Sequence, residues 1–218
     1  MKIEEKSMDF VVSPSNLENA VKSFGIPFNP KLFIPKNSVH VGDHLPIIRL
    51  EQAHRQRDLF DPNGYRLNNA RFGLVPNEFS SSRESDRYKL HAIRAERIEY
   101  QRAVSRVFAQ SRCVIPVQSA RLEGVDVLED RGEVIWLAGV WTRYERPSAR
   151  VESCAVITRL NRVRDSRALI ELKLEEFADW LEPSTSPNIL ERWLQPFGLY
   201  KNAASLVSPQ RKPGFSAL

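Results

Sequence analysis

The sequence predicts an α+β fold, a single β-rich domain with short peripheral helices. Three observations carry that expectation. The runs "RCVIPV", "EVIWLAGVWTRY" and "ESCAVITR" have the β-branched density of buried strands. Short amphipathic stretches with helix-start signals lie near both ends of the chain. Finally, 218 residues at 42% hydrophobic content can bury one sizeable core.

Taken in order, "SPSNLENAVKSFG" predicts a short helix. Ser15 and Glu18 have capping-box spacing, while Leu17, Ala20, Val21 and Phe24 form one apolar stripe that Gly25 ends. After a loop rich in Pro and Asn, "LPIIRL" and "RLNNARFGLVP" read as strands of about five residues bounded by turn formers. The polar "NEFSSSRESDRYKL" reads as a long surface loop. From Arg97 to Gln110, Ile98, Ala103, Val107 and Phe108 recur in a loosely helical pattern, and the three buried strands follow. Near the C-terminal end "LEEFADWLEP" and "SPNILERWLQPF" are predicted helices, the second with Ser186 as N-cap and Pro187 at the first helical position. The closing "QRKPGFSAL" reads as a loose tail.

Lys and Arg outnumber Asp and Glu by 32 to 27, a surplus that favours an anionic partner. Bases concentrate in one stretch, where Arg83, Arg87, Lys89, Arg94, Arg97, Arg102, Arg106, Arg112 and Arg121 oppose Glu84, Asp86, Glu96 and Glu99. A guanidinium can grip phosphate with two prongs and stack on a base, which lysine cannot. Cys113 and Cys154 stand in apolar runs without metal or disulfide spacing, which predicts buried free thiols. His40, His44, His54 and His91 fall in no metal-binding pattern, and no phosphate loop, dinucleotide fingerprint or nucleophile-elbow serine is present. No cofactor or metal is therefore expected. "MKIEEKSMDF" lacks the apolar stretch of a signal peptide and no segment could span a bilayer, so a cytoplasmic protein without membrane contact is expected.

Within "HAIRAERIEY" (residues 91–100), Arg94 and Glu96 are two apart, so on a strand they would share a face as a ligand clamp or as an ion pair. In order, "RFGLVPNEF", "RAE", "RCVIPV", "WLAGVW", "AVIT", "RDSRALIEL", "DWLEP" and "LYKNAASLVSP" resemble the sequence blocks of the SOS-response-associated peptidase family. The match runs from Ser7 to Pro209, dividing the chain into an N-terminal extension (1–6), a family domain (7–210) and a tail (211–218). The resemblance implies twisted mixed sheets closing into a barrel-like core, with a channel for single-stranded DNA on one face. It also implies capture of abasic sites by an N-terminal cysteine exposed on loss of the initiator methionine. The α-amine makes a Schiff base with the sugar aldehyde and the thiolate closes a thiazolidine.

Several positions depart from the family pattern. Ser7 falls at the cysteine, behind six further residues, with Asp9 at an arginine and Phe10 at a phenylalanine. Ala92 replaces an asparagine, while Arg94 and Glu96 are retained. Leu122 stands at the catalytic glutamate, and Glu123, one residue on, could replace it only across a bulge because a one-residue slip reverses the face. Asp165 replaces a histidine ahead of a retained Arg167, and Phe79 matches one of two adjacent aromatics that wedge against bases, its neighbour being Glu78.

The expectation is a pseudoenzyme that binds single-stranded or abasic DNA non-covalently through Arg94, Arg167, Phe79 and Arg112, with Glu96 as structural or clamp partner. One alternative is an active crosslinking enzyme and autopeptidase using Ser7, Glu123 or Asp165 with His91. The other is a protein-interaction module that recruits a partner through exposed Trp or Arg residues.

Overall fold

In a computed structural model, the described residues are 9–11, 13–22, 25–30, 39–50, 64–79, 90–122, 125–147 and 149–197. The β-rich runs lie side by side as β2 (His44–Leu50), β3 (Tyr65–Phe72), β5 (Arg112–Val117), β7 (Ile135–Arg146) and β8 (Ala149–Asn161). They pair in the order β7-β5-β2-β3-β8, and β8 returns to β7 along an antiparallel ladder from Gly139↔Val156 to Arg146↔Ala149, closing a five-stranded barrel. The β3–β8 pairing is parallel and the others are antiparallel, so the sheet is mixed as the family resemblance implies.

Alternation along each strand divides the apolar residues between two cores. In β5, Cys113, Ile115 and Val117 point into the barrel beside Ile47, Phe72, Leu137 and Val156. Val114 points outward, where Ala138, Ala155 and Ile157 also lie. Four helices belong with that outer face: α1 (Pro14–Lys22), α2 (Arg102–Gln110), α3 (Phe177–Leu181) and α4 (Pro187–Leu194). Trp180 of α3 is fully buried, meets Trp193 edge-on at 5.5 Å, and donates its indole N–H to the Cys113 carbonyl at 2.9 Å. Each such large buried apolar side chain stabilises the fold by about 1.5–3 kcal/mol.

Barrel closure depends on Gly139. A Cβ there would lie 2.8 Å from Ile115 Cδ1 and 2.9 Å from the Ala155 carbonyl, so only glycine lets β7 sit this close to both neighbours. Pro116, which has no N–H to donate, stands in β5 beyond its Ile48↔Val114 pairing with β2.

Helix ends depart from expectation in two places. α1 begins at Pro14, so Ser15 is inside the helix rather than its cap, and Glu18 pairs with Lys22 at 2.8 Å. Its C-terminal signal is as expected: Gly25, at φ 69°, donates to Lys22 and Ile26 donates to Val21, a Schellman closure. Phe24 lies outside the described residues. The helix expected from Arg97 is also corrected. A 3₁₀ turn covers Ala95–Arg97, Gln101 is extended, and α2 starts only at Arg102. Ser186 takes the N-cap position of α4 with Pro187 at its first turn, as the sequence predicts, but its side chain makes no capping hydrogen bond.

The short strands β4 (Ala92–Arg94), β9 (Ser166–Leu169) and β10 (Glu171–Leu172) extend the barrel sheet, while β1 (Asp9–Val11) and β6 (Ser119–Arg121) pair as a separate two-stranded sheet. Among the described residues, no helix is long and apolar enough to cross a membrane.

Candidate nucleic-acid interface

Past its pairing with β7, the C-terminal half of β8 lies between β4 and β9. Arg94 is in register with Thr158, and Arg167 with Leu160. On the far side of β9, Val125 bridges to Arg167 and the Asp126 N–H donates to the Arg167 carbonyl at 2.7 Å. Leu122 and the β1–β6 pair, where Asp9 is opposite Arg121, precede that bridge in the chain. Arg94, Thr158, Arg167 and Asp126, far apart in sequence, thus come together on one side of the barrel.

Arg167 straps this region together. Its Nε donates to Thr158 Oγ1 at 2.9 Å, and its Nη2 donates to the Thr158 carbonyl at 2.7 Å and to Glu96 Oε2 at 3.0 Å. Thr158, buried, passes a bond on to the Ile93 carbonyl at 3.3 Å. Glu96 also accepts the Leu160 N–H at 2.7 Å. Burial pushes the Glu96 carboxyl pKa up, but hydrogen bonds from its own backbone N–H, Arg167 and Leu160 outweigh that, and the group is held below its ordinary value. The expected Arg94–Glu96 pairing is therefore corrected. β4 ends at Arg94, the chain turns into the 3₁₀ winding, and Glu96 faces Arg167 while Arg94 is exposed. Among the described residues, no hydrogen bond or ion pair holds the Arg94 guanidinium, and Nη1 is the Arg167 nitrogen left unspent.

Arg112 does not join this face. It is 3% exposed, with its guanidinium donating to the carbonyls of Phe108, Ala109, Trp180 and Glu182. Those carbonyls terminate α2 and α3, so a cation placed there satisfies groups that the helices leave orphaned. Burial pushes its pKa down. Phe79 lies toward the other end of β8: Arg146, paired with Ala149, reaches the carbonyls of Asn77 and Phe79. The neighbouring Glu78 pairs with Arg106 at 3.2 Å. At that end a cavity of about 480 Å³ is lined by His44, Asn69, Arg71, Arg143, Arg150 and Glu152, a basic feature that the sequence did not flag.

The family model described as SOS response associated peptidase (SRAP) matches residues 10–210. This chain belongs to the SOS response associated peptidase family. The family is linked to DNA damage and abasic-site processing. Two solved structures share the fold. A protein from Bacteroides thetaiotaomicron has a TM-score of 0.67 at 17% identity, covering 88% of both chains. A phage-related protein from Bordetella bronchiseptica has a TM-score of 0.56 at 15% identity, covering 87% of both. No curated protein matches the chain.

Of the positions at which the resemblance implies a departure from the family pattern, Ala92, Leu122 and Asp165 are among the described residues. Ala92 packs against the inner core, and Leu122 is buried in it at 4% exposure. Asp165 is exposed in the β8–β9 turn at φ 50°, a left-handed conformation that aspartate tolerates. That turn is tied down through Asp126, which accepts from Asn161 at 2.7 Å and Ser166 at 2.8 Å. His91, whose carbonyl accepts from Val156, precedes β4, whereas Asp165 lies beyond Asn161, so the two do not meet. Ser7, Glu123 and His54 lie outside the described residues. Cys113 and Cys154 are free and buried, and desolvation raises both thiol pKa values. An exposed Trp surface is absent among the described residues. Trp136, Trp180 and Trp193 are buried, and Trp141 is half-buried with the Arg49 guanidinium 4.0 Å above its ring.

Proposed function

We propose that this SRAP member binds single-stranded or abasic DNA non-covalently, as a catalytically degenerate relative of the crosslinking enzymes. The observation that carries the reading is the contrast between two kinds of position on one side of the barrel. Arg94 offers an exposed guanidinium without a partner among the described residues, and Glu96 and Thr158 orient Arg167. Ala92 and Leu122, both packed in the inner core, hold no atom able to move a proton or orient an amine. Phosphate needs only the first kind of group, whereas thiazolidine chemistry needs both. Glu96 acts as positioning residue rather than ligand.

The test uses the full chain with a fluorescent single-stranded oligonucleotide carrying one abasic site. A native gel is expected to show a complex and a denaturing gel free DNA alone. A band that survives denaturation refutes catalytic degeneracy and favours an active enzyme with altered residues. Absence of a complex on the native gel refutes DNA binding and favours a protein-interaction module.

A further inference from the structure

The cavity at the N-terminal end of β8 follows from the strand pairing. β3 and β8 run parallel but are in register only at Arg71↔Ser153 and Phe72↔Cys154. Before those pairs the two strands part, and the cavity opens with Asn69 on one wall and Val151 on the other. β8 keeps its antiparallel ladder with β7 through this stretch, so Arg143 stands opposite Glu152 at the cavity's edge. Across β3, His44 at the start of β2 is opposite Arg71. The volume of about 480 Å³ is within the range of small-molecule sites, roughly 300–1,000 Å³.

The lining is ionic rather than apolar. Arg71, Arg143 and Arg150 bring three guanidiniums against the single carboxylate of Glu152, and the His44 imidazole can add a hydrogen bond. Each guanidinium is anchored. Arg71 Nη1 donates to the Gly73 carbonyl at 3.0 Å, and Arg150 Nε pairs with Glu145 Oε1 at 2.9 Å. Arg143 donates from Nε at 3.0 Å and from Nη2 at 2.6 Å to Glu152 Oε1. Arg49, whose side chain is 8% exposed, reaches the same oxygen at 3.4 Å and stacks on Trp141. One carboxylate oxygen thus serves two guanidiniums, and positive charge collects in a partly enclosed place where a counter-charge is attracted more strongly than on the open surface.

We propose that this cavity binds a small phosphate monoester. A phosphate dianion matches the two charges by which the lining guanidiniums exceed Glu152, and its three oxygens suit forked donors held on separate strands. The rest of the cavity, with the Asn69 amide in its wall, has room for a compact polar body. Thr158, in register with Arg94, lies about 20 Å further along β8 than Glu152 at the usual strand rise, so this site is separate from the DNA interface above.

Isothermal titration calorimetry of the full chain at low ionic strength, with glucose 6-phosphate as probe and glucose as its control, tests the site. The ester is expected to bind and glucose to give no binding heat. Arg71→Gln and Arg150→Gln should each weaken the ester about tenfold, the scale of one charged hydrogen bond. The Arg150 side chain is 76% exposed, so that variant carries the test even where loss of the Arg71 bond to Gly73 harms folding. Glu152→Gln should tighten binding, because it removes the opposing charge while its amide oxygen still accepts from Arg143. No binding of the ester at millimolar concentration, or full affinity in Arg150→Gln, would overturn the proposal. If Arg94→Ala weakens the ester as much as Arg150→Gln does, the phosphate occupies the DNA interface and the cavity assignment is wrong. Displacement of the ester by a 5′-phosphorylated single strand, but not by the same strand with a 5′-hydroxyl, would refute a small-molecule ligand.

Discussion

Removing the Glu96 carboxylate should loosen the junction of β4, β8 and β9 at a cost that can be worked from its two contacts. Glu96→Ala deletes the acceptor for the Leu160 N–H at 2.7 Å and for Arg167 Nη2 at 3.0 Å. A hydrogen bond to a charged group contributes about 1.5–3 kcal/mol net. Glu96 is 33% exposed, so the Leu160 bond belongs at the low end of that range. The ion pair, also reached by solvent, adds about 0–1 kcal/mol. Together these give about 2 kcal/mol, or a Tm lowered by about 4–8 °C in a domain of this size. Thermal unfolding followed by circular dichroism at pH 7 measures it directly. The pH dependence supplies a second check. The folded pKa of Glu96 lies below its ordinary value of 4.5, so the carboxylate's contribution is complete above that value and is lost as pH falls through the folded pKa. The gap between the unaltered chain and Glu96→Ala should therefore narrow on acidification below 4.5. Equal melting temperatures at pH 7, or a gap that does not narrow in acid, would refute the strap.

Other expectations concern stability and access. Arg112→Met should destabilise by about 1–3 kcal/mol in urea unfolding, because it leaves carbonyls at two helix ends without their charged donor. Where that variant folds, its DNA affinity should equal that of the unaltered chain. Gly139→Ala should cost about 1–3 kcal/mol, since the added methyl meets the fixed Ala155 carbonyl as well as Ile115, and a neutral result would contradict the close approach of β7 to β8. Cys113 and Cys154 should resist a thiol reagent in the folded protein and both react on unfolding, as burial raises their pKa values and blocks entry.

The long strands were legible because β-branched density needs no partner information: "RCVIPV" is buried at every position and supplies both cores. Strands of two to four residues, such as β4, β6, β9 and β10, are too short to display alternation, and only pairing with β7, β8 or β1 defines them. The stretch from Arg97 was misread because an apolar residue every three or four positions suits a 3₁₀ turn followed by a helix as well as one helix. Arg112 looked like part of a basic patch, yet its place directly after a helix end was the available signal that it would meet orphaned carbonyls. At the interface, spacing brought Arg94 and Glu96 to notice but not the identity of the partner. Arg167 reaches Glu96 from 71 residues away, and Thr158 was hidden inside a strand run.

The salt dependence of single-strand binding tests the central claim most directly. A log–log plot of affinity against salt for the unaltered chain should slope downward, and Arg94→Ala should flatten it by about 0.7, the signature of one phosphate no longer neutralised. A slope unchanged by Arg94→Ala, or binding indifferent to salt, would contradict an interface built on that guanidinium.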